Sequence, residues 1–209
     1  MNFYDKYIKR FLDIVISLIA LIILFPIIII ISIIVRLQMG SPIFFSQKRI
    51  GKNERLFNLY KFRSMTNEVD ENGHLLPESK RLTKFGAVLR STSLDELPEL
   101  ICILKGEMSF VGPRPLPDYY EPYFFPNERM RHSVRGGLIP PDSLSGKTFT
   151  SYEEQFKYEV MYAQKVSFWL DIKVFFSTFK ILFLRLKSDY GSNSIERPHL
   201  NIYRSNENK

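Results

Sequence analysis

From Ile14 to Val35 the chain is almost purely aliphatic, interrupted only by Ser17, Pro26 and Ser32. An uncharged apolar run of this length predicts a membrane helix rather than the core helix of a soluble domain. About 22 residues at ~1.5 Å each reach roughly 33 Å, close to the hydrocarbon thickness, so length alone allows a crossing. Two features favour a re-entrant helix-kink-helix instead. Pro26 lies mid-run, and basic residues flank both sides, Lys6, Lys9 and Arg10 before and Arg36, Lys48 and Arg49 after, so both ends read as cytoplasmic. A cleaved signal peptide would have a shorter apolar region and an A-x-A-like site, which IIVRLQMGSP does not offer.

Downstream the periodicity changes. Ser41 to Met65 alternates β-prone runs (IFF, LFNLYKF) with a basic turn around Gly51, predicting a hairpin or two short strands. Thr66 to Lys80 is polar with NGH and LPES turn signals and reads as a loop. SYEE at Ser151 matches a capping box opening a helix. From Val166 to Lys187, Phe168, Ile172, Phe175, Phe176, Phe179, Leu182, Phe183 and Leu186 recur at helical spacing, with Lys173, Ser177, Lys180 and Lys187 opposite. Such a helix suits a membrane interface; packing on the domain core is the alternative. Beyond Ser188 the composition predicts a polar, disordered tail. The expected architecture is α+β and mainly helical. A membrane-embedded re-entrant helix occupies 1–38, a small cytosolic α/β catalytic domain with interfacial amphipathic helices 39–187, and the tail 188–209.

With 29 Lys and Arg against 22 Asp and Glu, the net charge of +7 suits an anionic partner without choosing among phosphates, acidic lipid and nucleic acid. The cations crowd one region: Lys48, Arg49, Lys52, Arg55, Lys61 and Arg63 face only Glu54, and Arg81, Lys84 and Arg90 follow. A solvated or lipid-facing basic surface is the plain reading, and phosphate handling the sharper one. The single Cys102 excludes a disulfide framework within the chain and a Cys cluster for zinc, and fits a reducing compartment as a small buried residue. No nucleic-acid-binding module is recognisable.

The densest chemistry lies in SLDELPELICILKGEMSFVGPRP, Ser93 to Pro115. Proline is cheap only in a helix's first turn, so Pro98 prevents a helix running into Leu100 from starting before about Asp95. Asp95 and Glu96 therefore sit at a helix start, where capping explains them as well as catalysis does. Pro113 and Pro115 pin Arg114 between two rigid φ angles and present its guanidinium with little entropy left to lose, unless the stretch is simply a Pro-rich connection.

Taken together, KRFLD (Lys9 to Asp13), the aliphatic run, SPIFFSQKRIG, KFRSM (Lys61 to Met65), LTKFGAVLRSTSLDELPEL and LKGEMSFVGPRPL resemble the small monotopic phosphoglycosyl transferases of the bacterial sugar transferase family. The resemblance covers about Lys9 to Lys187. It implies an enzyme of the bacterial plasma membrane, with its site on the cytoplasmic face. Such an enzyme moves a sugar phosphate from a UDP-sugar to polyprenyl (undecaprenyl) phosphate, releases UMP, and begins a surface glycan. It also implies that Asp95 is the nucleophile and that Glu96 helps hold Mg²⁺. Pro113, Arg114 and Pro115 are associated with the nucleotide and Arg90 with phosphate; Lys61 and Arg63, from the cation-dense stretch, are further candidates for holding the substrate.

Two departures stand out. GGLIPPDSLSGKTFT (Gly136 to Thr150) replaces the Pro-Gly-Ile-Thr-Gly segment of many relatives, and Cys102 stands where Asn is common. A non-catalytic membrane scaffold binding a glycan-pathway nucleotide is the competing function. Direct attack by lipid phosphate, with Asp95 as a metal ligand, is the competing mechanism. The sugar, the glycan and any homodimer stay open.

Overall fold

The computed structural model describes residues 3–187 and 198–207. The long helix α1 (Lys9–Met39) follows a π-helical turn over Tyr4–Ile8 and runs through Pro26 without interruption. Strands β1 (Phe44–Ile50) and β2 (Leu56–Phe62) pair antiparallel, Phe44 opposite Phe62 and Ile50 opposite Leu56, so the predicted hairpin is present. After the loop come short α2 (Glu78–Arg81), α3 (Lys84–Ser91) and α4 (Glu99–Lys105). A small parallel pair, β3 (Met108–Val111) and β4 (Gly136–Ile139), precedes the helices α5 (Tyr152–Lys165) and α6 (Phe168–Lys187). A last helix, α7 (Leu200–Glu207), completes a mainly helical fold with two small sheets.

The motif KRFLD now has a physical explanation, because three of its side chains fasten α1 to the domain. Lys9 Nζ lies 2.5 Å from Asp171 of α6. Arg10 donates to the carbonyls of Ile103 (2.7 Å) and Leu104 (2.8 Å) in the last turn of α4. Asp13 accepts from Ser109 Oγ and Phe110 N of β3 at 3.0 and 3.1 Å. Farther along, Ala20, Leu21 and Leu24 rest against the core built on Phe57, Leu59, Leu100, Ile103 and Met108. Ile31 and Val35 are buried with Phe62 and Leu89. The opposite side of α1, including Ile22, Ile23, Phe25 and Ile30, is exposed.

Helix α6 turns Asp171, Val174 and Ile181 inward, while Trp169, Phe175, Phe176 and Phe179 stand exposed beside Lys173 and Lys180. The core does not cover that aromatic face; the side chains of Phe183 and Leu186 lie outside the described residues. Ser151 caps α5 by accepting from Glu154 N, but the Glu154 carboxylate bonds Lys147 instead of completing the capping box. The tail differs from its expected disorder. Leu200 of α7 is fully buried in a cluster with Tyr120, Tyr152 and Phe156, and Arg204 reaches Glu128 at 2.6 Å and stacks over Phe125. Residues 188–197 of the expected tail lie outside the described residues.

Candidate active site

Between α3 and α4 the chain makes a 3₁₀ turn, Leu94–Glu96, entered through Ser93 at φ 57°. A non-glycine residue in the left-handed region costs roughly 1–2 kcal/mol, so surrounding contacts must hold this corner. Pro98 follows in helical geometry and α4 begins at Glu99, which places both dyad carboxylates just ahead of the helix, as the proline requires. Gly86 makes the approach of α3 feasible: a Cβ there would come within 1.9 Å of the Ser64 carbonyl oxygen.

Asp95 is 8 % exposed. Burial raises its pKa, the nearby Lys61 ammonium opposes that rise, Glu96 adds to it, and Arg90 opposes it more weakly. Lys61, on β2, stands between two carboxylates, 2.5 Å from Glu96 Oε1 and 3.2 Å from Glu99 Oε1, the second without hydrogen-bond geometry. Arg114 Nη2 is 3.6 Å from Glu96 Oε1, and its side chain is 49 % exposed. Burial, with Lys61 partly compensating, lifts Glu99 to about 7. Lys61, Glu96, Glu99 and Arg114 line one cleft together with Arg49, Leu59, Pro115, Gly137 and Leu138.

The structure thus gathers Lys61, Asp95, Glu96 and the Pro-Arg-Pro segment. Arg90 acts on Asp95 through space, but its guanidinium bonds Ser64 Oγ at 3.0 Å and Glu78 at 3.4 Å. Arg63 is turned elsewhere: it is buried and donates to the carbonyls of Met39, Pro42 and Met65, closing the end of α1. Cys102 is buried, and burial pushes its thiol up to about 11, which suits an inert core residue.

Sequence reading missed the support behind Arg114. Glu159 of α5 accepts Arg114 N at 2.8 Å and Arg131 Nε at 2.6 Å, while Arg131 Nη2 donates to the Arg114 carbonyl at 2.6 Å. Both side chains of this pair are essentially inaccessible, at 1 % and 0 %. The backbone of the motif is therefore clamped on two sides while its half-exposed guanidinium faces Glu96 in the cleft. A Cβ on Gly137 would lie 2.0 Å from Gly112 N, so β4 closes on the Gly-Pro-Arg-Pro turn only because both residues are glycine.

Among the described residues no group of three or more His, Cys, Asp or Glu side chains could cage a metal. Mg²⁺ does not need such a cage; one or two carboxylates plus substrate phosphates satisfy it. Glu96, which lines the cleft, and adjacent Asp95 offer carboxylates of the kind that requirement calls for.

The bacterial sugar transferase family model matches residues 4–185. The chain belongs to the bacterial sugar transferase family. It is 45 % identical over 141 residues to the uncharacterized sugar transferase EpsL of Bacillus subtilis, covering 68 % of this chain and 70 % of that one. It is 38 % identical to the galactosyl transferase CpsE of Streptococcus agalactiae, covering 88 % of this chain and 44 % of that protein. A UDP-glucose:undecaprenyl-phosphate glucose-1-phosphate transferase of Klebsiella pneumoniae is 34 % identical, covering 85 % of this chain and 40 % of its own length. The chain thus spans less than half of the latter two sugar transferases.

Proposed function

We propose that this sugar transferase moves a sugar 1-phosphate from a UDP-sugar to polyprenyl phosphate through a covalent phosphosugar on Asp95. The observation that carries this reading is a buried carboxylate that feels the Lys61 charge and stands next in the chain to Glu96, which lines the cleft with Lys61 and Arg114. Burial makes the carboxylate more basic and so more nucleophilic, while Lys61 favours its ionised form. An Asp95 oxygen attacks the sugar-bearing phosphorus, and the bond from that phosphorus to the bridging oxygen breaks, releasing UMP. An oxygen of the lipid phosphate then attacks the same phosphorus and frees Asp95. Arg114 and Lys61 spread the charge that builds on the phosphoryl oxygens. Bound at Glu96 and the diphosphate, Mg²⁺ would supply further neutralisation of that charge.

The anchoring of α1 supports a membrane placement. Asp13 is fixed to β3, and Val35 is buried against Phe62 and Leu89 of the same folded body. A helix crossing the bilayer would carry these two points to opposite faces. We therefore place α1 in one leaflet, re-entrant at Pro26, with the aromatic face of α6 at the interface and the cleft on the cytoplasmic side. There a soluble nucleotide sugar and a lipid-borne phosphate both reach it. Gly137 and Leu138, in the divergent segment, line the cleft, and on this reading they would meet the sugar.

The test is a UDP-sugar labelled in the sugar, incubated with detergent-purified protein and Mg²⁺ in the absence of acceptor. Wild type is expected to retain labelled sugar phosphate and release UMP, and Asp95→Asn to do neither. Normal UMP release by that variant overturns the nucleophile assignment.

A further inference from the structure

One cation of the cleft remains without a task after the dyad and the Pro-Arg-Pro turn are accounted for. Side chains alternate along β1, so Phe45, Gln47 and Arg49 share a face, and their partners Lys61, Leu59 and Phe57 carry it across β2. Arg49 lines the cleft with Lys61, Leu59 and Arg114. Its Nη1 donates to the Pro115 carbonyl at 3.1 Å, but its Nε is buried with no hydrogen-bond partner, and none of the ion pairs among the described residues holds it. Burial and the neighbouring Arg114 charge depress its pKa to about 10. Two guanidiniums that repel each other, one with a spare buried N–H, make a seat for an oxyanion.

Beyond Arg49 the same face ends in an aromatic. The chain is pinned there by Ile50 N donating to the Leu116 carbonyl at 2.9 Å and by a bridge from Arg49 to Pro117. Two residues on, Tyr119 is 46 % exposed, with its phenol interacting with the Gln47 side chain and with Arg49. Tyr120 buttresses it edge-on at 4.9 Å, and Tyr120 is itself tied to His199 at 2.8 Å ahead of α7. A rigid, uncovered ring next to a cationic groove is the arrangement on which a planar base stacks.

We propose that Arg49 and Tyr119 form the seat for the nucleotide half of the donor, Arg49 joining Arg114 on the diphosphate and Tyr119 stacking on the uracil, with Gln47 at the base's polar edge. This rests on the UDP-sugar reading and adds to it the residues that select a nucleotide over a bare diphosphate.

Binding of UDP and of inorganic pyrophosphate to the full chain in nanodiscs, measured by titration calorimetry, tests it. Tyr119→Ala is expected to weaken UDP about tenfold and leave pyrophosphate unchanged, and Tyr119→Phe to retain both. Arg49→Gln is expected to weaken both ligands about tenfold or more; should that variant unfold, Arg49→Lys, which lacks the planar fork, is expected to show the same joint loss. Equal loss of both ligands in Tyr119→Ala, or no loss, overturns the stacking role. Unchanged binding in the Arg49 variants overturns the clamp. Asp95→Asn separates the two levels of inference. If it binds UDP normally without releasing UMP, the donor reading stands whatever the fate of the subsite, whereas wild-type protein that binds no UDP refutes both.

Discussion

Two clusters of paired charges meet at Arg114, and they are built on different plans. Behind the motif, Arg131 and Glu159 are fully enclosed, and their polar atoms are engaged by Arg114, Gln155 and His132. The Arg131 guanidinium also lies 5.3 and 5.1 Å from the ring centres of Phe124 and Phe156. In front, Lys61 serves two carboxylates at once, and Lys61 and Glu96 keep 19 % and 20 % of their side-chain surface. A closed, satisfied pair makes a fixed frame, since losing either partner strands a charge. A shared, half-open cluster can trade partners when a diphosphate arrives. The difference teaches that charge density alone does not mark a substrate site; unsatisfied bonding capacity at an open surface does.

The largest expected effect comes from breaking the frame. Glu159→Gln leaves the Arg131 guanidinium buried without its counter-charge and loosens both anchors of the Arg114 backbone. We expect a loss of about 3–5 kcal/mol in stability, read from denaturant midpoints in detergent, with activity falling alongside. A variant as stable as wild type would mean the frame holds by other contacts.

The clusters also respond to acid in opposite senses. Burial and Arg131 depress His132 to about 4, so its share of stability is complete above pH 6.5 and is lost as pH falls towards 4. Glu99, lifted to about 7, contributes stability that is complete below pH 4.5 and lost as pH rises through 7. Glu99→Gln is therefore expected to be more stable than wild type at pH 8 by about 2–3 kcal/mol, with the advantage shrinking towards pH 4.5. His132→Gln is expected to flatten the acid limb of the same midpoint-against-pH curve. Parallel curves for wild type and either variant would contradict the corresponding shift.

Much of this was legible in the residues. The aliphatic run, the hairpin, α5 and α6, and the placement of the dyad by Pro98 all rest on local pattern, and local pattern survives tertiary folding. Arg49 was visible only as one more cation in a dense row, because strand register decides which of those cations share a face. Glu159 and Asp171 carried a signal that went unused. On α5 the buried positions are Tyr152, Gln155, Phe156, Glu159 and Tyr162, and on α6 Asp171, Val174 and Ile181. An acid at core spacing on an amphipathic helix announces a distant cation, though only the fold shows that the partners are Arg131 and Lys9. Helix α7 offered almost no pattern: its fully buried apolar anchor is Leu200, and the rest of its hold comes from Arg204 and Tyr203 reaching Glu128 and Glu153.

The smallest effect on stability is expected where the effect on chemistry is large. Glu96→Gln removes one of the two carboxylates competing for Lys61, and the ammonium keeps Glu99 at hand, 3.2 Å away. For a pair with this much solvent access the change in stability should stay within about 1 kcal/mol. Turnover should nevertheless fall by roughly 100-fold, the scale seen when one electrostatic group is removed from a developing charge. On the proposed role of Glu96 toward Mg²⁺, the Mg²⁺ concentration giving half-maximal UMP release should rise as well, since an amide would stand in place of the proposed carboxylate ligand. Melting curves and UMP release measured on one preparation distinguish the two effects. A Glu96→Gln protein that melts early yet turns over normally would place Glu96 with the frame behind Arg114, and the contrast between the clusters would disappear.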